Sequence, residues 1–191
     1  MALRKIATIG HPALRRAAQE VSRDRLRLPE TQALIDDLIA TMRDAHGAGL
    51  AATQIFEPWQ ICAIEVENNP RYPYKPRIPL TVLINPRITA LSQATFENFE
   101  GCLSVPNLRG RVARFVEVRV TAWDRNADAL DFVVRGLSAG TYQHEVDHLQ
   151  GTLFVDKLVD PRSLCTWEHF EHYEKARFVE EAQSLVAKWG A

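Results

Sequence analysis

The chain has 191 residues, 46% of them hydrophobic and 25% charged, with a formal net charge of −1. This suits one domain plus a terminal extension with an ordinary core, and it gives no electrostatic reason to expect a membrane surface or specific nucleic-acid binding. No apolar run could span a bilayer, the start Met1-Ala2-Leu3-Arg4-Lys5-Ile6 lacks the apolar centre of a secretory signal, and three scattered cysteines (Cys62, Cys102, Cys165) suit a reducing, cytoplasmic setting rather than a disulfide framework.

Residues 31 to 45 are predicted as an amphipathic helix, because Leu34, Ile35, Leu38, Ile39 and Met42 fall on one stripe. Gly47 and Gly49 end it and open a loop. Residues 60 to 66 read as a strand holding Cys62 as a small buried apolar residue. The next stretch carries Pro70, Pro73, Pro76 and Pro79 with two tyrosines, which predicts an irregular surface excursion. Leu80 to Ile84 is a second strand, ended by Asn85-Pro86.

Val116, Val118, Val120 and Ala122 alternate with polar residues, the pattern of a half-buried strand. A turn over 124–128 returns the chain along Leu130 to Val134. A helix follows from about Leu137 to Gln150, with Gly151 as its stop. Asp160-Pro161 reads as a cap and first-turn proline, and residues 163 to 189 as helical, with Trp167, Phe170 and Tyr173 as the buried face. Strands, one central helix and terminal helices predict an α+β domain.

The helix over 137–150 carries His144-Glu145-Val146-Asp147-His148. Residues four apart share a helix face, so both imidazoles can grip one ion, and Glu145 can reach a water in its open position. Two solvent-facing histidines would produce the same five letters. A hydrolytic site needs a third ligand. One candidate is Cys102 in Glu100-Gly101-Cys102-Leu103-Ser104. The other is downstream: Glu168 or Glu171 would complete a zincin-like peptidase, although a solvated helix face explains those acids as well.

Three ordered segments carry a family resemblance. They are Gly47-Ala48-Gly49-Leu50-Ala51-Ala52-Thr53-Gln54, Glu100-Gly101-Cys102-Leu103-Ser104, and Gln143 through Gly151. With Ile9-Gly10-His11-Pro12-Ala13-Leu14-Arg15, they make the chain resemble the peptide deformylases from near residue 5 to about residue 160. These metallohydrolases remove the formyl group from the N-terminal formylmethionine of nascent polypeptides.

The resemblance implies antiparallel sheets packed around a central metal-binding helix, a catalytic domain over 1–160 and a helical C-terminal extension over 161–191. It implies that Cys102, His144 and His148 hold one divalent metal ion per chain, natively Fe2+, with Zn2+, Ni2+ or Co2+ as substitutes. Glu145 is then the general acid and base, and Gln54 with the backbone N–H of Leu103 the oxyanion donors. Gly49 and Gly101 are expected beside the bound peptide, with Leu137 lining an apolar methionine pocket. Glu100 is expected to orient a ligand or to fix the backbone through an ion pair. Arg109, with Arg111 and Arg114, either touches the peptide or the ribosome or forms a solvated strand face. N-formylmethionyl nascent peptides are the implied partners.

Overall fold

The computed structural model describes residues 2–67, 69 and 71–190. Helices α1 (Arg23–Arg27) and α2 (Pro29–Asp44) precede strands β1 (Gly49–Ala51), β2 (Ile61–Val66) and β3 (Ile78–Ala90). Strands β4 (Thr95–Cys102), β5 (Val105–Phe115), β6 (Glu117–Trp123) and β7 (Ala129–Arg135) lead into α3 (Gly136–Leu149). The chain closes with β8 (Cys165–Thr166), α4 (Trp167–His169), a π turn over Phe170–Glu174 and α5 (Lys175–Trp189).

Two antiparallel sheets result, one in the order β1-β2-β3-β6-β7 and one in the order β4-β5-β8. Helix α3 lies between them, against β1, β2, β3 and β7 on one side and β4 and β5 on the other. Strand β2 shows why the larger sheet needs two covers. Successive side chains point to opposite faces. Ile61 and Ala63 pack with Leu38 and Met42 of α2, while Cys62 and Ile64 pack with Ala139 and Tyr142 of α3. All these residues are buried, and each large one contributes roughly 1.5–3 kcal/mol by leaving water.

Several expectations needed correction. Strand β3 does not stop at Asn85-Pro86. Asn85 takes φ of 52°, the register against β6 shifts between Ile84 and Arg87, and the strand continues to Ala90 through this bulge. The extents of β4 and β5 were not anticipated beyond a strand face at Arg109–Arg114, because Glu100, Arg109 and Arg114 are buried there among Phe99, Val105 and Val112 and break the apolar alternation. After Asp160, which caps a single 3-10 turn, a short strand intervenes, and Thr166 caps the helical tail. The π turn then rotates Tyr173 outward to 69% exposure, while Phe170 and Phe178 take the buried side.

The proline-rich stretch is not simply a surface excursion. Tyr72 is buried, and Lys75 reaches Thr141 of α3. Asn68 and Pro70 lie outside the described residues.

Candidate metal centre

Strand β4 ends on Cys102, where a register slip between Gly101 and Cys102 breaks the ladder with β5. Helix α3 presents His144 and His148 one turn apart on the face toward that strand end. Cys102 Sγ lies 3.3 Å from His148 Nε2, and His148 Nε2 lies 3.3 Å from His144 Nε2. The three donor atoms all fall within 4.8 Å of one another.

This set fits a metal. Two nitrogens bound tetrahedrally at ordinary zinc or iron distances would sit about 3.4 Å apart. The electrostatics agree. Burial, reinforced by His144, pushes the His148 pKa well below its usual value, so the ring is a neutral donor. Burial alone would also lower His144, but hydrogen bonding to Cys102 and Glu100 outweighs it and raises the pKa well above normal. A position that draws a proton this strongly favours a cation.

A buried network orients the ligands. Glu100 Oε2 lies 2.8 Å from His144 Nδ1. Arg114 grips Glu100 with Nε at 2.7 Å and Nη2 at 2.9 Å, and its Nη1 donates to Asp147 at 2.6 Å. Lys157 donates to the other oxygen of Asp147 at 2.7 Å. Burial would raise the Glu100 pKa, but Arg114 and His144 together hold it well below the usual range. Glu100 thus makes both contacts its two expected roles would use, one to the His144 ring and one to Arg114 as an ion pair. Arg114 is therefore an internal brace and no part of a solvated face. Arg111 also points away from the cavity, pairing with Glu174 and Glu181 of the tail.

Glu145 lines the same cavity. Burial raises its pKa to about 7, partly opposed by His144, and its Oε2 has no hydrogen-bond partner among the described residues. Gly49 explains itself here: a Cβ at that position would collide with the Glu145 carboxylate. Gly101 is not required by the protein in this way, since a Cβ there would make ordinary contact with the Leu108 carbonyl at 3.4 Å.

Gln54 sits on a 3-10 turn after β1, fully buried. Its Oε1 accepts from the Ala51 N–H at 2.8 Å, which points Nε2 at Ser104 Oγ (3.0 Å) and Cys102 Sγ (3.5 Å). Leu103 lines the cavity beside it, and its side chain packs on the core under α2. Arg109 is buried in the cavity wall. Its Nη2 donates to the Phe99 carbonyl at 2.7 Å, its guanidinium lies 4.0 Å from the Phe170 ring centre, and Nε and Nη1 have no partner among the described residues.

Other expectations fall elsewhere. Glu168 and Glu171 are exposed and outside the donor group, and Glu171 pairs with Lys175. Leu137 is buried, but it lines a separate cavity with Phe178 and Leu185 of α5. Nor is the cavity beside the metal group apolar: Lys75, Asn98 and Thr141 form part of its wall. Thr141 was detectable, being three and four residues before His144 and Glu145 on the same helix face. Lys75 and Asn98 were not, because only the fold brings their segments together.

A family model described as polypeptide deformylase matches residues 3–163. The chain is 45% identical over 158 residues to "Peptide deformylase 2" of Ralstonia nicotianae, covering 83% of this chain and 88% of the relative. It is 42% identical to "Peptide deformylase" of Leptospira biflexa, covering 83% and 89%. Among solved structures it resembles a class I type b peptide deformylase from Acinetobacter baumannii with Met-Ala-Ser bound, with a TM-score of 0.79, 35% identity, and coverage of 82% of this chain and 99% of that one. A peptide deformylase from Legionella pneumophila matches with a TM-score of 0.73, 33% identity, and coverage of 97% and 98%. With the match spanning most of its length, this chain belongs to the peptide deformylase family.

Proposed function

We propose that this chain hydrolyses the formyl amide of N-formylmethionyl nascent peptides in the cytoplasm. Residues 1–160 carry the chemistry, and residues 161–191 form a helical extension. The observation that carries the proposal is the convergence of Cys102 Sγ, His144 Nε2 and His148 Nε2 beside the buried Glu145, whose Oε2 has no hydrogen-bond partner among the described residues.

Cys102, His144 and His148 would hold one divalent ion, with Fe2+ as the native metal and Zn2+, Ni2+ or Co2+ able to replace it. When bound, such an ion supplies Lewis-acid polarisation and water activation. The chain's own residues do the rest. Glu145 takes a proton from the attacking water at its free Oε2 and passes it to the leaving amine. Gln54 Nε2, fixed by the Ala51 contact, and the backbone N–H of Leu103 donate to the oxygen that gains charge.

Arg109 and Gly101 border the path of the peptide in the cavity wall, where Gly101 leaves room for the peptide beside β4. The Met-Ala-Ser complex of the Acinetobacter relative supports a peptide substrate. Contact with the ribosome is a further part of this reading. The test is elemental analysis of anaerobically purified protein together with turnover of formyl-Met-Ala-Ser. About one metal per chain and release of formate are expected. A chain that carries metal and releases no formate from any formylated peptide would overturn the assignment.

A further inference from the structure

Arg109 is fully buried, and among the described residues its hydrogen bonds go to the Phe99 carbonyl and the Tyr74 hydroxyl, with no carboxylate paired to it. A buried cation without a counter-ion is costly unless something else holds it. Here aromatic faces do so. The guanidinium carbon lies 4.0 Å from the Phe170 ring centre, 4.7 Å from that of Trp167 and 5.6 Å from that of Tyr72. Ring faces attract a cation, most strongly where water is excluded. Trp167 and Phe170 belong to the helical extension, and Tyr72 and Tyr74 to the proline-rich stretch. Two segments that carry no catalytic motif thus close on one side chain in the cavity wall.

Arg109 passes this hold toward the metal group. Its Nη2 donates to the Phe99 carbonyl at 2.7 Å. That carbonyl and the Glu100 N–H share one rigid peptide plane. The Phe99 ring also rests on Phe170, with centres 4.8 Å apart. Glu100 in turn meets His144 Nδ1 at 2.8 Å. The route from the extension to a ligand ring is continuous: aromatic faces, guanidinium, peptide plane, carboxylate, imidazole.

Resting on the reading of Cys102, His144 and His148 as a metal site, we propose that Trp167 and Phe170 are positioning residues for that site. They seat Arg109, Arg109 sets the Phe99–Glu100 peptide, and Glu100 aims His144. The extension and the proline-rich stretch form a clamp behind the metal group.

The experiment mixes the Zn2+-loaded full-length chain with a chromogenic chelator and reads the rate of Zn2+ release beside the denaturation midpoint. Partners that orient a ligand directly change metal affinity about 10- to 100-fold, and residues one step further out should change it less. Trp167→Leu and Phe170→Leu are expected to speed release about three- to tenfold, and Arg109→Met by at least as much. Trp167→Phe keeps a ring over the guanidinium and should stay within about twofold of wild type. Added to Arg109→Met, Trp167→Leu should change release by less than about twofold, since its route is already cut. Trp167 is only half-buried, so Trp167→Leu carries the test if Phe170→Leu does not fold. Leucine variants that release Zn2+ at the wild-type rate, whatever their midpoints, would overturn the proposal. Effects of Trp167→Leu and Arg109→Met that simply add would overturn it as well. A wild type that binds no Zn2+ would instead strike the metal-site reading.

Discussion

At one end of the catalytic cavity, all three guanidinium nitrogens of Arg114 are matched to carboxylate oxygens, and both oxygens of Glu100 are used. At the other end, Lys75 has Thr141 as its partner, while Arg109 Nε and Nη1 have none among the described residues. The two ends are a few residues apart in space, and both are buried and charged. The closed end fixes ligand geometry, since each member is held by the next. At the open end, Lys75 keeps unspent donors for something that arrives from outside. A cluster of buried charges is therefore not one kind of object. Its free valences separate scaffold from binding surface.

The sharpest way to break this comparison is at the metal group. Cys102→Ala should lose the metal and essentially all turnover, read by elemental analysis and formate release. Chelation of the wild type should give the same loss, reversed by adding back Fe2+. Next in size, Glu145→Gln should keep its metal yet lose roughly a thousandfold in kcat, because proton transfer is removed and the ligands are not. Retained metal with retained turnover would show that Oε2 is not the proton carrier.

Arg114→Met should cost about 3–5 kcal/mol in chemical denaturation, since it strands the buried Glu100 carboxylate without its guanidinium and leaves Asp147 with Lys157 alone. Gly49→Ala should fold but lower kcat by up to about a hundredfold, because the new methyl displaces Glu145 from the cavity. The smallest stability effect belongs to the open end. Lys75→Met should change stability by no more than about 1 kcal/mol, since a buried ammonium with a single partner contributes little net. If Lys75→Met proved as destabilising as Arg114→Met, the distinction between closed and open ends would collapse.

Much of the catalytic group was legible from spacing. His144, Glu145 and His148 follow from the period of a helix, and Cys102 and Gln54 came with ordered motifs that the resemblance supplied. Helix α2 and strands β2, β6 and β7 were visible because their apolar residues recur at the period of each element. Strands β4 and β5 were hidden for the converse reason. Their buried residues include Glu100, Arg109 and Arg114 beside Phe99, Val105 and Val112, and one sequence cannot show that charges so far apart neutralise one another.

Local chemistry along the chain thus narrowed the candidates for holding a metal and moving a proton to His144, Glu145 and His148, since their helical spacing is a short-range property. Only the three-dimensional arrangement decided that Gly49 makes room for Glu145, that Arg114 braces the ligands, that Leu137 serves a different cavity, and that Lys75 stands beside Thr141. Lys75 and Thr141 are 66 positions apart. Burial and charge compensation are properties of what surrounds a group, and the surroundings exist only after the sheets close around α3.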